Sequence, residues 1–293
     1  MPRARVNGIE LEYESFGRTG DPALLLVMGL GAQMILWHEE FCESLAGRGF
    51  RVIRYDNRDV GRSTWLDEAG VPDVPGALAA AATGGAIEAP YLLGDMAADG
   101  VALLDELQVG AAHVVGASMG GMIAQSIAIE HAGRVRTLTS IMSTTGHPGL
   151  PQARPEAMAL LMTPVPVERA AQIERAVQVS RTIGSPAYPG DEAELRALAG
   201  HAFDRGVNPP GFARQLVAIL ASGSRRDALG TVRAPTLVIH GADDPLVPVE
   251  AGRDTAESVP GAELLEIPGM GHDLPRALWP TVVDAISKHA EKA

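Results

Sequence analysis

Short apolar runs of strand length alternate with longer amphipathic segments along most of the 293-residue chain. Residues 23–28 (ALLLVM), 52–56 (VIRYD), 112–116 (AHVVG), 138–143 (LTSIMS), 236–241 (TLVIHG) and 262–267 (AELLEI) read as buried strands. Near-continuous apolar runs of that length are what a parallel sheet covered on both faces requires. Residues 8–14 (GIELEYE) instead alternate with period two, as an edge strand does. Helices are predicted at residues 37–48, 91–107, 119–131 and 280–290. In the second of these, Met96, Val101, Leu104 and Leu107 recur at helical spacing while Asp95, Asp99 and Glu106 fall elsewhere. Strand and helix in alternation predict an α/β fold.

Two segments break the rhythm. Residues 67–90 are rich in Ala, Gly and Pro and follow no clear period. Residues 144–226 carry helical patches, at 167–181 and 192–205, but no convincing strand. A helical insertion in an otherwise regular sheet reads as a cap over the strand ends, where open α/β sheets bind ligands. The expected organisation is a core of residues 1–143 and 227–293, with the Ala/Gly/Pro-rich insertion at about 67–90, and a helical cap of residues 144–226.

Composition narrows the partners. The net charge is −12 with no basic cluster, which argues against nucleic acid and anionic membrane surfaces. Arg supplies all but two of the 24 basic residues, a bias that with abundant Ala and Gly suits a GC-rich bacterial genome. The single cysteine, Cys42, excludes an internal disulfide and reads as a small buried hydrophobe. The N-terminus lacks the apolar stretch of a secretory signal, and the apolar run at 23–28 is far too short to span a bilayer, so a cytoplasmic protein is expected. No His, Asp or Glu cluster has metal-ligand spacing, and Gly29-Leu30-Gly31 lacks the third glycine of a dinucleotide loop, which would fall at Met34. Neither metal nor cofactor is expected, and oligomeric state is not readable.

The segment with the sharpest chemistry is Gly116-Ala117-Ser118-Met119-Gly120, set between the 112–116 strand and the 119–131 helix. The flanking glycines permit a turn too tight for side chains, which strains the serine and points its Oγ away from the sheet. The helix start aims free N–H groups at the same place. A glycine-rich chain yields the bare pentapeptide easily, so the strand before it and the helix after it carry the inference. A serine also needs a base, and the base an orienting acid. Asp243 and Asp244 follow one strand, and His272 lies in the glycine-rich loop after the next.

With these residues together, the chain resembles the α/β hydrolases over essentially its whole length. Asp56-Asn57-Arg58-Asp59-Val60-Gly61-Arg62-Ser63 is similar to that family's Asp-x-Arg-x-x-Gly-x-Ser loop, and Met28-Gly29-Leu30-Gly31 to its oxyanion segment. Met28 and Asp59, where many members have His and Gly, resemble the branch of the aclacinomycin methylesterases. The resemblance implies an α/β-hydrolase fold, a mostly parallel eight-stranded sheet with a helical cap inserted after strand 6. It further implies a triad of Ser118, Asp244 and His272, with the oxyanion held by the backbone N–H groups of Leu30 and Met119. Of the two aspartates, it favours the one preceding Pro245.

The expected activity is hydrolysis of small-molecule carboxylic esters through an acyl-enzyme on Ser118. A cofactor-free perhydrolase or haloperoxidase, or a C–C bond hydrolase, would use the same triad, and a non-catalytic receptor would keep only the scaffold. Gly29, Met34, Trp37, His147 and Met162 are the candidate pocket residues. Among the other histidines, His113 and His240 at strand ends read as structural; His38, His131, His201 and His289 read as helical and exposed. Arg58 and Asp59 read as an internal ion-pair scaffold rather than a substrate contact.

Overall fold

The computed structural model describes the chain from Met1 to Ala293. Its strands are β1 (Arg3–Val6), β2 (Ile9–Phe16), β3 (Ala23–Val27), β4 (Arg51–Tyr55), β5 (Ala112–Ala117), β6 (Val135–Ile141), β7 (Thr236–Gly241) and β8 (Glu263–Ile267). They form one sheet in the order β1-β2-β4-β3-β5-β6-β7-β8. Every pairing from β4 to β8 is parallel; β2 runs antiparallel to both β1 and β4. The expected α/β architecture is present, with three local differences. The 8–14 segment is not the edge, because the short charged strand β1 folds back over it at Asn7-Gly8. Both turn residues have positive φ (47° and 81°), which matches the twist of a hairpin. At the other end, β8 is an edge strand whose Glu263 and Leu264 are exposed, so it is not buried as its apolar content suggested. The third difference is that β6 begins three residues earlier than expected.

Alternate residues of the buried strands feed two cores. Leu24 and Leu26 join Val52, Val115 and Ile239 beneath α1 (Glu39–Ala46) and the C-terminal helix. On the opposite face Leu25 and Val27 join Ile53, Val114 and Leu138. Each of these fully buried side chains contributes roughly 2 kcal/mol. Cys42 lies in the first core, where burial pushes its thiol up to about 12.

Residues 67–90, without visible period, contain α2 (Val74–Thr83). Asp73 caps it by accepting the Gly76 N–H (3.0 Å), and Gly84 ends it at φ 71°. Its apolar residues are mostly alanines, too small to mark a stripe. Then follow α3 (Leu93–Glu106) and α4 (Met119–Glu130), which cover the second core. The insert after β6 comprises α5 (Pro155–Met162), α6 (Arg169–Ile183), α7 (Glu192–Arg205) and α8 (Pro209–Ser222). The chain returns to the sheet through α9 (Arg226–Leu229). Arg225 clasps the neck of this insert: its N–H donates to Thr145 O (2.8 Å), Nη2 to Thr144 O (2.9 Å) and Nη1 to Gly223 O (3.2 Å). Burial lowers that guanidinium to about 10.

After β7 comes α10 (Val249–Ser258), which the hydrophobic pattern does not announce. Its buried positions are Ala251, Gly252, Asp254 and Thr255, small or polar residues that make no apolar stripe. The C-terminal helix is α11 (Trp279–Ala290), whose Val282, Val283 and Ile286 complete the first core. His289, expected at the surface, is buried there, with Nε2 against Pro235 O at 3.0 Å. No helix is long and apolar enough to cross a membrane.

His113, in β5, is buried with Nδ1 2.9 Å from Thr137 Oγ1. Burial, aided by Arg136, lowers its pKa from 6.5 to about 4. Between those values the unfolded chain binds the proton more readily, so stability rises with pH. The stabilisation is complete above about pH 6.5 and is lost as pH falls toward 4. Denaturant titrations at about pH 7 and pH 5 should differ, with His113 supplying roughly 2 kcal/mol of the difference. His113→Asn should shrink that gap by a comparable amount.

Candidate active site

The site is built on the crossing from β5 into α4. A Cβ on Gly116 would lie 2.0 Å from Gly120 O, and one on Gly120 would lie 2.1 Å from Val27 O. No side chain fits at either position, so the turn closes tightly and Ser118 is left at φ 56°, ψ −121°. That backbone region is sparsely populated for a residue with a Cβ and costs roughly 1–3 kcal/mol. Surrounding bonds hold it in place: Ser118 N–H donates to Ile141 O (2.9 Å), and Ser143 Oγ donates to Ser118 O (2.8 Å).

Ser118, Asp244 and His272 leave β5, β7 and β8 at the same edge of the sheet, as parallel strands require. His272 Nε2 lies 3.0 Å from Ser118 Oγ, and its Nδ1 lies 2.7 Å from Asp244 Oδ2. With Nδ1–H donating to the carboxylate, Nε2 carries the free lone pair that faces the serine hydroxyl. Asp244 Oδ1 accepts the N–H groups of Leu246 (2.9 Å) and Val247 (2.8 Å). Its side chain is fully buried. Behind it His240 Nε2 meets Val247 O at 2.8 Å, which ties the Asp244 turn back to β7. Burial lowers the His240 pKa, so a neutral ring sits beside Asp244 and leaves that carboxylate to His272. Asp243 is exposed; it accepts Gly269 N–H (2.8 Å) and donates its own N–H to Met270 O (3.0 Å).

Opposite Ser118 runs the 28–31 loop. Gly29 faces the serine so closely that a Cβ there would lie 3.2 Å from Ser118 Cβ. Leu30 N–H donates to no protein acceptor. Met119 is the first residue of α4, where backbone N–H groups have no partner within the helix. Gly31 N–H donates to Gln215 Oε1 of α8 (2.8 Å), which fixes the loop from the insert side.

A cavity of about 1610 Å³ opens above Ser118 between the sheet edge, α2 and the insert, and most of its lining is apolar. Gly29, Leu30, Trp37, Met119, His147 and Met162 all line it. Met34 does not. Its side chain is fully buried, and its N–H donates to Asp56 Oδ1 (2.7 Å), so it belongs to the support of the site rather than to the pocket. His38 is a second correction: it precedes α1, is half-buried against Trp279 and lines the cavity.

Several polar residues that sequence patterning passed over fasten this arrangement. Arg214 of α8, with no exposed side-chain surface, holds Asp59 through Nε (2.9 Å) and Nη2 (2.6 Å), and Tyr91 OH donates to the same carboxylate (2.8 Å). Burial opposes ionisation of Asp59, but the Arg214 guanidinium overcomes it and holds the carboxyl below its ordinary range. Arg58 pairs with Asp99 in the same way (2.6 and 2.8 Å). Both residues act as the internal scaffold expected of them. Arg205 of α7 reaches Asp56, Glu12 (2.8 Å) and Gln33 (2.7 Å). The signal for these was an arginine within an apolar helix face, visible in the 209–222 segment only once α8 is known to pack inward.

The sequence and the fold both match known proteins. Residues 22–275 match the family model of the alpha/beta hydrolase fold. The chain belongs to the α/β-hydrolase family. This hydrolase is 32% identical to the rhodomycin D methylesterase of Streptomyces peucetius over 320 aligned positions, spanning 100% of this chain and 99% of that protein. It is 28% identical to 3-oxoadipate enol-lactonase 2 of Acinetobacter baylyi, over 86% of this chain and 82% of that one. Among solved structures, the enol-lactonase from Burkholderia xenovorans LB400 superimposes with a TM-score of 0.75 at 22% identity. That match covers 99% of this chain and 100% of the other, and is a likeness of fold.

Replacing Arg214 with Leu strands Asp59 as a buried carboxylate without its cation. Denaturant unfolding should show a loss of about 3–5 kcal/mol. The double variant Arg214→Leu/Asp59→Asn should recover part of it.

Proposed function

We propose that this hydrolase cleaves carboxylic esters through an acyl-enzyme on Ser118. The observation that carries the reading is the continuous hydrogen-bonded line from Asp244 through His272 to Ser118 Oγ, beside a 28–31 loop whose Leu30 N–H has no protein acceptor. His272 Nε2 takes the hydroxyl proton as Oγ attacks the acyl carbon. Asp244 holds the ring's tautomer and stabilises the imidazolium. The N–H groups of Leu30 and Met119 receive the developing oxyanion, a contribution of about 3 kcal/mol per donor. Collapse expels the alcohol, which leaves with the proton from His272. Water then attacks the acyl group with the same imidazole as base, and the acid departs.

The similarity to a rhodomycin D methylesterase supports a finer reading, in which the substrate is a methyl ester. A cavity of about 1610 Å³ with a largely apolar lining has room for a large, mainly apolar acyl group. His147 and Met162 are then substrate contacts, Trp37 backs the wall from within the core, and Gly29 keeps the approach to Ser118 open.

Ser118→Ala should lower hydrolysis of p-nitrophenyl acetate at least about a thousandfold while far-UV circular dichroism stays unchanged. A fluorophosphonate should label the wild-type chain at one site and leave Ser118→Ala unlabelled. Activity surviving the substitution would refute the nucleophile. Wild-type protein that binds esters without turnover or labelling would point to a receptor.

A further inference from the structure

The loop that carries His272 is intrinsically loose. Gly269 and Gly271 flank Met270, and each glycine adds backbone freedom that folding must remove. The Asp243 turn holds one side of it, through Gly269 N–H and Met270 O. The other side is held by residues some 85 positions earlier in sequence, at the end of α6 and in its connection to α7. His272 N–H donates to Ile183 O (2.6 Å), and Ala187 N–H donates to Gly269 O (3.1 Å). Gly271 packs so tightly that a Cβ on it would lie 2.4 Å from Gly184 O.

Ser185 is at the centre of this contact. Its side chain is buried. Its Oγ accepts Gly271 N–H (3.0 Å) and donates its own proton to Asp273 Oδ1. The same Oδ1 accepts Ser185 N–H (3.0 Å). One hydroxyl thus links the residue before His272 to the residue after it. No Arg or Lys pairs with Asp273; burial pushes its carboxyl above its ordinary range, against the Ser185 bonds and the neighbouring His272. Neither side chain was singled out by the sequence, and neither touches Ser118 or Asp244.

We propose that Ser185 and Asp273 are positioning residues through which the insert sets the His272 imidazole against Ser118. The inference rests on the ester-hydrolase reading above. It gives the insert a second task besides walling the cavity: the core alone leaves the base under-constrained, and the α6–α7 connection completes it. An imidazole free to drift by about 1 Å from the serine costs up to a hundredfold in rate.

The test compares Ser185→Ala, Ser185→Thr and Asp273→Ala with wild type on p-nitrophenyl acetate and on a fluorophosphonate, with rates expressed per labelled site. Ser185→Ala should lower kcat and the labelling rate constant together by about ten- to a hundredfold. KM should change less than about twofold, since the cavity wall is intact. Ser185→Thr, which keeps the hydroxyl, should recover most of the loss. Asp273→Ala should lower kcat as well, and the double variant should fall well short of the product of the two losses, because the two side chains act through one linkage. A purely structural anchor would lower the melting temperature but leave the rate per labelled site unchanged, and that result overturns the proposal. So does a threonine variant no faster than the alanine one. Wild-type protein that resists the fluorophosphonate altogether overturns the ester-hydrolase reading, and this one with it.

Discussion

The close approach of α4 to the end of β3 is the constraint on which the rest depends. With Gly120 packed onto the Val27 carbonyl and Gly116 onto Gly120, the chain has no freedom in how it leaves β5. Ser118 is driven into a strained backbone conformation at the sheet edge, and its Oγ has one direction in which to project. The same contact sets where β3 ends, and so where the 28–31 loop must pass. The serine and the Gly29 backbone come to lie against one another because a single packing contact locates both.

The insert is fastened to the core at widely separated places. Arg205 and Arg214 bring buried guanidinium groups to Asp56 and Asp59, and Gln215 holds the 28–31 loop by its Gly31 N–H. Arg225 binds the two neck strands of chain together, and Ser185 grips the His272 loop. Buried ion pairs of this kind add little net stability over well-packed apolar residues, but breaking one partner is costly. Their value here is geometric. They fix the distance between the insert and the sheet edge, and therefore the height of the cavity over Ser118.

The elements with a strong hydrophobic period were legible: β3, β5, β6 and β7, with α3, α4 and α11, lie within a few residues of expectation. Three that were missed have a common physical origin. The strand β1 is four residues with two arginines, α2 is mostly alanine, and α10 buries small and polar positions; none presents an apolar stripe. Period reports how much apolar surface an element buries, so elements that pack through small residues leave no trace in it. Met34 was misplaced for a related reason. A methionine near a glycine-rich loop reads as pocket, yet its direction is set by the Asp56 hydrogen bond to its backbone, which no pattern of residue types displays.

By itself, the sequence determined the alternation of strand and helix, the tight Gly-x-Ser-x-Gly turn, and the order in which a serine, two aspartates and a histidine follow their strands. These are local properties, governed by side-chain period and by where a Cβ can and cannot be accommodated. The tertiary structure decided which aspartate turns inward, which residues line the cavity and what holds His272 in place. Those depend on contacts between segments tens to more than a hundred residues apart, such as Ser185 with Gly271 and Arg214 with Asp59. Whether two such segments meet depends on the packing of everything between them, so only the folded chain could reveal it.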